Sequence, residues 1–140
     1  MCLWEVKEHC TNVDKDEVHT GYKWLERVDE RTYRSPCMRQ NIYLEREWYP
    51  AEHYKCYVEK PVEYRTKTES KSYTSGFHIF RTIEEARKHW LGDIKVSAPM
   101  PELCLVSYRN PTTIGTERDS YGIQTQVVVA DEMCVIGEVK

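Results

Sequence analysis

Gly76-Phe77-His78-Ile79-Phe80-Arg81-Thr82-Ile83-Glu84-Glu85-Ala86-Arg87-Lys88-His89-Trp90-Leu91 is the stretch on which the reading of the fold turns. Its first half alternates in the strand sense, with Phe77 and Ile79 on one face and His78 and Phe80 on the other. Thr82 then suits a helix N-cap, and Glu85 three residues later completes a capping box. Ile83, Ala86 and Trp90 recur at helical spacing beside Leu91, Glu84 can pair with Lys88, and Gly92 is placed to end the element. The spacing predicts a strand, a capped turn and one helix over about 83–91.

Working outward, Tyr22, Trp24 and Glu26 fall on one face of an extended run and Lys23, Leu25 and Arg27 on the other. Asp29-Glu30-Arg31 reads as a turn, and Thr32 to Ser35 as a strand ended by Pro36. Ile42 to Leu44, Trp48-Tyr49, Tyr54 to Val58 and Val62 to Arg65 are short and β-biased, with Pro50 and Lys60-Pro61 as separators. The hydroxyl-rich Thr66 to Ser75 is predicted to be an exposed loop. Ile94 to Ser97 and Glu102 to Arg109 read as strands, and Asn110-Pro111 as a stop. Residues 110 to 122 read as a polar loop, and Gln124 to Ala130 and Met133 to Val139 as two strands joined by a turn at Asp131-Glu132. Residues 1 to 18 look like an extended arm. The expected architecture is therefore α+β, one β-rich domain over 19–140 with mostly antiparallel strands and the helix at 83–91.

The 140 residues fit one domain, and 20 basic against 23 acidic residues leave a formal net charge of −3 with the signs interspersed. That composition excludes a nucleic-acid footprint and a basic membrane patch as the basis of function. Charges throughout the first thirty residues interrupt any apolar stretch of signal-peptide or membrane-span length, so a cytoplasmic location is expected. The six cysteines, among them Cys104 in an apolar run, read as reduced small hydrophobes. Ten tyrosines and four tryptophans supply amphipathic rings suited to a contact surface.

No complete catalytic or phosphate-binding motif is present. His9-Cys10 and His53-x-x-Cys56 offer close ligand pairs but not the spacing of paired zinc knuckles, so no metal is expected. Cys2 would become an amino-terminal nucleophile on removal of Met1, yet Met1-Cys2-Leu3 is the entire match to that class. His78 stands mid-strand beside Gly76, which would let a ligand approach the backbone, and no Asp or Glu lies nearby in sequence to orient it.

Tyr22-Lys23-Trp24, Tyr33-Arg34-Ser35-Pro36, Gly76 to Phe80 with Glu85-Ala86, and the closing apolar run from Val127 to Ile136 follow one another in an order that resembles a group of small uncharacterised phage and mobile-element proteins. These similarly start Met-Cys-Leu and carry a Tyr-Lys strand, a Ser-Pro turn, and a Gly-x-His strand leading into a helix. The same order is similar, more distantly, to the ADP-ribosyltransferase fold. On that alignment His78 stands where the family has its ring-stacking tyrosine, Gln126 where it has its catalytic glutamate, and Gly21-Tyr22-Lys23 where it has a nicotinamide-contacting His-Gly pair.

The expectation from residues and resemblance together is a non-enzymatic accessory module that engages a host protein or a nucleotide and carries no cofactor. Its contact residues would be Tyr22, Lys23, Tyr33, Tyr73 and His78, with the 66–75 loop beside them. One alternative is a diverged NAD-binding or ADP-ribosyltransferase-like enzyme using His78, Arg34 and Gln126. A second is a structural virion component.

Overall fold

A computed structural model describes residues 3–34, 41–43, 48–51, 55–61, 68–89, 101–118 and 122–139. Their order is β1 (Glu5–His9), β2 (His19–Asp29), β3 (Thr32–Arg34), β4 (Asn41–Tyr43), β5 (Tyr49–Pro50), β6 (Lys55–Pro61), β7 (Thr68–Thr74), β8 (Phe77–Phe80), α1 (Ile83–Lys88), β9 (Glu102–Arg118) and β10 (Gln124–Glu138). The α+β expectation is thereby corrected. Among the described residues the chain is nearly all antiparallel strand, and its helix is six residues long.

β9 and β10 form a long hairpin that organises the rest. β8 pairs with β10 through Phe77–Phe80, β2 pairs with the first half of β9, and Tyr22 of β2 meets Phe80 of β8. Strands β2, β9, β10 and β8 thus close into a ring. Its enclosed side carries one apolar cluster that includes Leu25, Ile79, Val106, Tyr108, Ile114, Val128 and Met133. The opposite side carries a second, with Leu3, Val6, Tyr73, Phe80, Leu103, Val127 and Val129, covered by Ala86 of α1. Two-sided burial accounts for the unbroken Val127-Val128-Val129 run, whose members are all at most 1% exposed.

Thr82 caps α1 as its sequence predicts, its Oγ1 accepting the Glu85 N–H at 3.1 Å. The Glu85 carboxylate accepts the Gln126 N–H at 3.2 Å, which ties the helix to β10. The helix stops at Lys88 because His89 is extended, short of the expected 83–91; Trp90, Leu91 and Gly92 lie outside the described residues.

Several expected loops are strands. Thr68–Thr74 of the predicted 66–75 loop pairs with β6, which runs through Lys60-Pro61, and buries Tyr73; Ser75 just after it is buried too. Threonine and tyrosine suit a pleated surface, and pairing outweighs their polarity. The arm over residues 1 to 18 contributes β1, which pairs with the second half of β9 and buries Leu3 and Val6. Asp131-Glu132 is not a turn: β10 runs through it, with Glu132 opposite Arg109. Asn110-Pro111 is not a stop either, because Pro111 lies between the part of β9 paired to β2 and the part paired to β1. An N–H is not required there. The expected Val62–Arg65 and Ile94–Ser97 strands lie outside the described residues.

Candidate functional site

The continuation of β9 past Pro111 brings Glu117 under β8. Thr125 of β10 is its cross-strand partner, and Val129, two pairs further along the same face, is the partner of His78. Glu117 and His78 therefore meet, with Oε1 and Nδ1 2.6 Å apart and side chains 7% and 12% exposed. Burial is the largest influence on His78 and holds its pKa below the ordinary value of 6.5, against the raising pull of Glu117. Burial alone would push Glu117 up. The hydrogen bond from His78, with the charge of Lys23, outweighs it and holds Glu117 below the usual carboxylate value.

A neutral His78 beside an ionised Glu117 fixes the direction of the hydrogen bonds. His78 Nδ1–H donates to Glu117 Oε1, so Nε2 is left as an acceptor facing the Tyr73 hydroxyl at 3.5 Å. Tyr73 in turn accepts the Leu3 N–H at 2.8 Å. Lys23 Nζ donates to the His78 carbonyl at 2.8 Å. The second carboxylate oxygen of Glu117 faces His89 Nε2 at 3.9 Å, and His89 is buried against the Phe80 ring. His89 Nδ1 and Thr125 Oγ1 are buried without a hydrogen-bond partner among the described residues.

The remaining predicted residues are placed differently. Arg34 on β3 pairs with Glu26 of β2 at 2.8 Å. Gln126 is exposed and, by alternation from Val129, lies on the opposite face of β10 from His78. The structure does not bring Arg34 or Gln126 into the His78 cluster. Of the expected contact residues, Tyr33 is fully buried beneath Arg27 and Glu102, Tyr73 is 3% exposed, and Tyr22 and Lys23 are half-buried. The close approach that Gly76 allows is made by the chain itself: a Cβ there would stand 2.6 Å from the Ala130 carbonyl oxygen.

Cys10, Cys104 and Cys134 are free thiols. His53 and Cys2 lie outside the described residues, and among the described residues no three His, Cys, Asp or Glu side chains are grouped to hold a metal ion. Among them, too, no helix is long and apolar enough to cross a membrane.

Sequence reasoning missed Glu117 and His89. A signal existed for His89, which follows the buried Ala86 at i+3. For Glu117 the apparent stop at Asn110-Pro111 concealed it.

At the surface, the outer end of the β9–β10 hairpin gathers a different set. The Arg118 guanidinium lies 4.6 Å from the centroid of the Trp4 ring. Gly122, with φ of +83°, passes close enough that a Cβ there would stand 3.2 Å from an Arg118 nitrogen, and Ile123 beside it is 47% exposed. The Trp4 N–H is anchored to the Thr116 carbonyl at 2.7 Å. Comparison with protein-family models, curated proteins and solved structures finds no match to this chain.

Proposed function

We propose that this chain is a non-enzymatic binding module that engages a protein partner through the Trp4, Arg118 and Ile123 patch at the end of the β9–β10 hairpin. The observation that carries this reading is the pairing of Arg118 over Trp4, whose backbone is tied to Thr116 of β9, at the hairpin end where Gly122 approaches Arg118 and leads into the exposed Ile123. Tryptophan and arginine dominate the energetics of protein interfaces, and a ring held by a strand loses little freedom on binding. The inward placement of His78 and Glu117 also supports it, since a general base must reach a proton on its substrate. The resemblance of the Gly76 to Phe80 strand and its neighbours to phage and mobile-element proteins supports an accessory role in the cytoplasm, with a host protein as the partner.

The test is affinity capture from host lysate with the wild-type chain, an Ile123→Glu variant and an Ile136→Glu control, Ile136 being similarly exposed at 53%. A specific protein retained by wild type and the control but lost with Ile123→Glu supports the reading. Equal retention by all three refutes the patch. A thermal shift with NAD that disappears in His78→Ala would refute the non-enzymatic reading, and self-association in light scattering would favour a structural role.

A further inference from the structure

We propose that Arg118 anchors the partner by taking a side-chain carboxylate, so that the segment bound is an acidic one in which an Asp or Glu stands close to an apolar residue. This rests on the reading of the hairpin end as a binding surface and adds the chemistry of what is bound there. Among the described residues three arginines lie over aromatic rings: Arg27 over Tyr33 at 4.8 Å, Arg109 over Trp48 at 4.3 Å and Arg118 over Trp4 at 4.6 Å. The first two are each completed by a carboxylate of the chain itself. Arg27 Nε lies 3.2 Å from Glu102 Oε1, and Arg109 grips Glu132 through Nε and a terminal nitrogen. Arg118 has its ring but, among the described residues, no carboxylate, and its N–H groups donate no hydrogen bond to any of them.

The Arg118 guanidinium is nonetheless restrained as the other two are. Stacking on Trp4, whose backbone N–H is tied to the Thr116 carbonyl, limits its orientation and uses none of its hydrogens. A Cβ at position 122 would stand 3.2 Å from a terminal nitrogen of Arg118 and 3.6 Å from Nε, the same two nitrogens with which Arg109 takes Glu132. Glycine there leaves that edge clear. A planar fork held against a ring and open along its Nε edge matches a carboxylate, which accepts two parallel N–H bonds. One cation without a counter-charge among the described residues calls for one carboxylate. Ile123, which follows Gly122 and is 47% exposed, supplies the apolar half of the contact.

The test is a peptide array probed with the full chain. One set places an Asp or Glu close to a Leu, Ile or Phe in a neutral background with an amidated carboxyl terminus. Matched sets replace the acid by Asn or Gln, by phosphoserine, or by a free carboxyl terminus on a neutral sequence. Wild type should retain acid–apolar peptides and bind their amide counterparts roughly 10- to 100-fold more weakly, the factor carried by hydrogen bonds to a charged group. Arg118→Gln, at an exposed position, should keep the wild-type urea midpoint and lose the preference for acid over amide. Arg118→Lys, which keeps the charge without the fork, should lose most of it. Asp119, next in the chain and outside the described residues, is tested by Asp119→Asn, which should leave the preference as it is. Absent or equal binding of the acid set, a preference for phosphoserine or for the free carboxyl terminus, or full affinity in either Arg118 variant would overturn the carboxylate anchor. An acid preference that emerges only in Asp119→Asn would overturn it as well. So would a host protein whose capture needs Ile123 but not Arg118, a result that leaves the patch itself intact; capture that needs neither removes the patch and its ligand together.

Discussion

Replacing His78 by leucine should destabilise the protein more than replacing Glu117 by leucine, and the double replacement should restore most of what either loses. In His78→Leu the Glu117 carboxylate remains 7% exposed and loses the donor that stands 2.6 Å from it. Breaking a buried pair in this way costs about 3–5 kcal/mol. Glu117→Leu instead leaves an imidazole N–H unsatisfied, at a cost of about 1–3 kcal/mol. The double variant buries two apolar side chains where a polar pair stood and should lie within about 1 kcal/mol of wild type, giving a coupling on the order of 3 kcal/mol or more. Domains of this kind are stable by only about 5–15 kcal/mol, so the single variants should move the urea midpoint clearly, at constant m. Additive single effects, or a His78→Leu chain as stable as wild type, would refute the assignment of the pair as a structural clamp. A site kept for catalysis would do the opposite, since relieving an active site of its strain often stabilises the fold.

Three further outcomes follow from the same geometry. Gly115→Ala should destabilise by about 1–3 kcal/mol in urea unfolding and strip exchange protection from β1, because a Cβ there overlaps the Glu5 carbonyl and stands 2.7 Å from Leu3 Cδ1. Stability should be level above the ordinary histidine value of 6.5 and fall below it by up to about 1.4 kcal/mol per pH unit, because the unfolded chain takes up a proton that folded His78, its pKa lowered, resists. Glu117, also lowered, adds a second loss as pH falls below 4.5, and His78→Leu/Glu117→Leu should lack both contributions in pH-dependent urea titrations. Cys104 is fully buried and its thiol is pushed up to about 12 by burial, so iodoacetamide should label it only after denaturation, as read by mass spectrometry; fast labelling of the folded chain would contradict its placement in the core.

The start of the helix was legible because its signals are local. Thr82 and Glu85 act across one turn, and the alternation of Phe77 to Phe80 needs only its neighbours in sequence. What escaped depends on pairing between distant segments. Thr68 to Thr74 is too polar to announce a strand, yet its backbone finds β6 and its Tyr73 finds the second apolar cluster. Gln126 and His78 were grouped by alignment in one dimension, while the two-residue period of β10 places them on opposite faces. Tyr33 looked like a surface contact, but the hairpin turn after Asp29 carries it onto Leu25 and Cys104, where Arg27 and Glu102 engage its hydroxyl.

The cluster at His78 owes its existence to the place where sequence reading stopped. Between Tyr108 and Ile114, both on the enclosed face, β9 has one residue more than the stretch of β10 from Met133 to Val128 that it faces. That extra residue sits at the step where Ala130 pairs with Pro111 but Val129 pairs with Thr113. Asn110, at φ of +54° and bonded through its amide to Asp131, supplies the left-handed turn that the bulge requires. Thr112 fixes it from two sides, its hydroxyl donating to the Val129 carbonyl at 3.3 Å and its carbonyl accepting the Cys10 N–H at 2.9 Å. A strand shifted by one residue exchanges its faces. Without the bulge, the second half of β9 would turn Ile114 away from the enclosed core and carry Glu117 to the side opposite His78. The residues that read as a break in the strand are therefore the ones that select its register, and through it bring up the carboxylate that makes a buried histidine at position 78 tolerable.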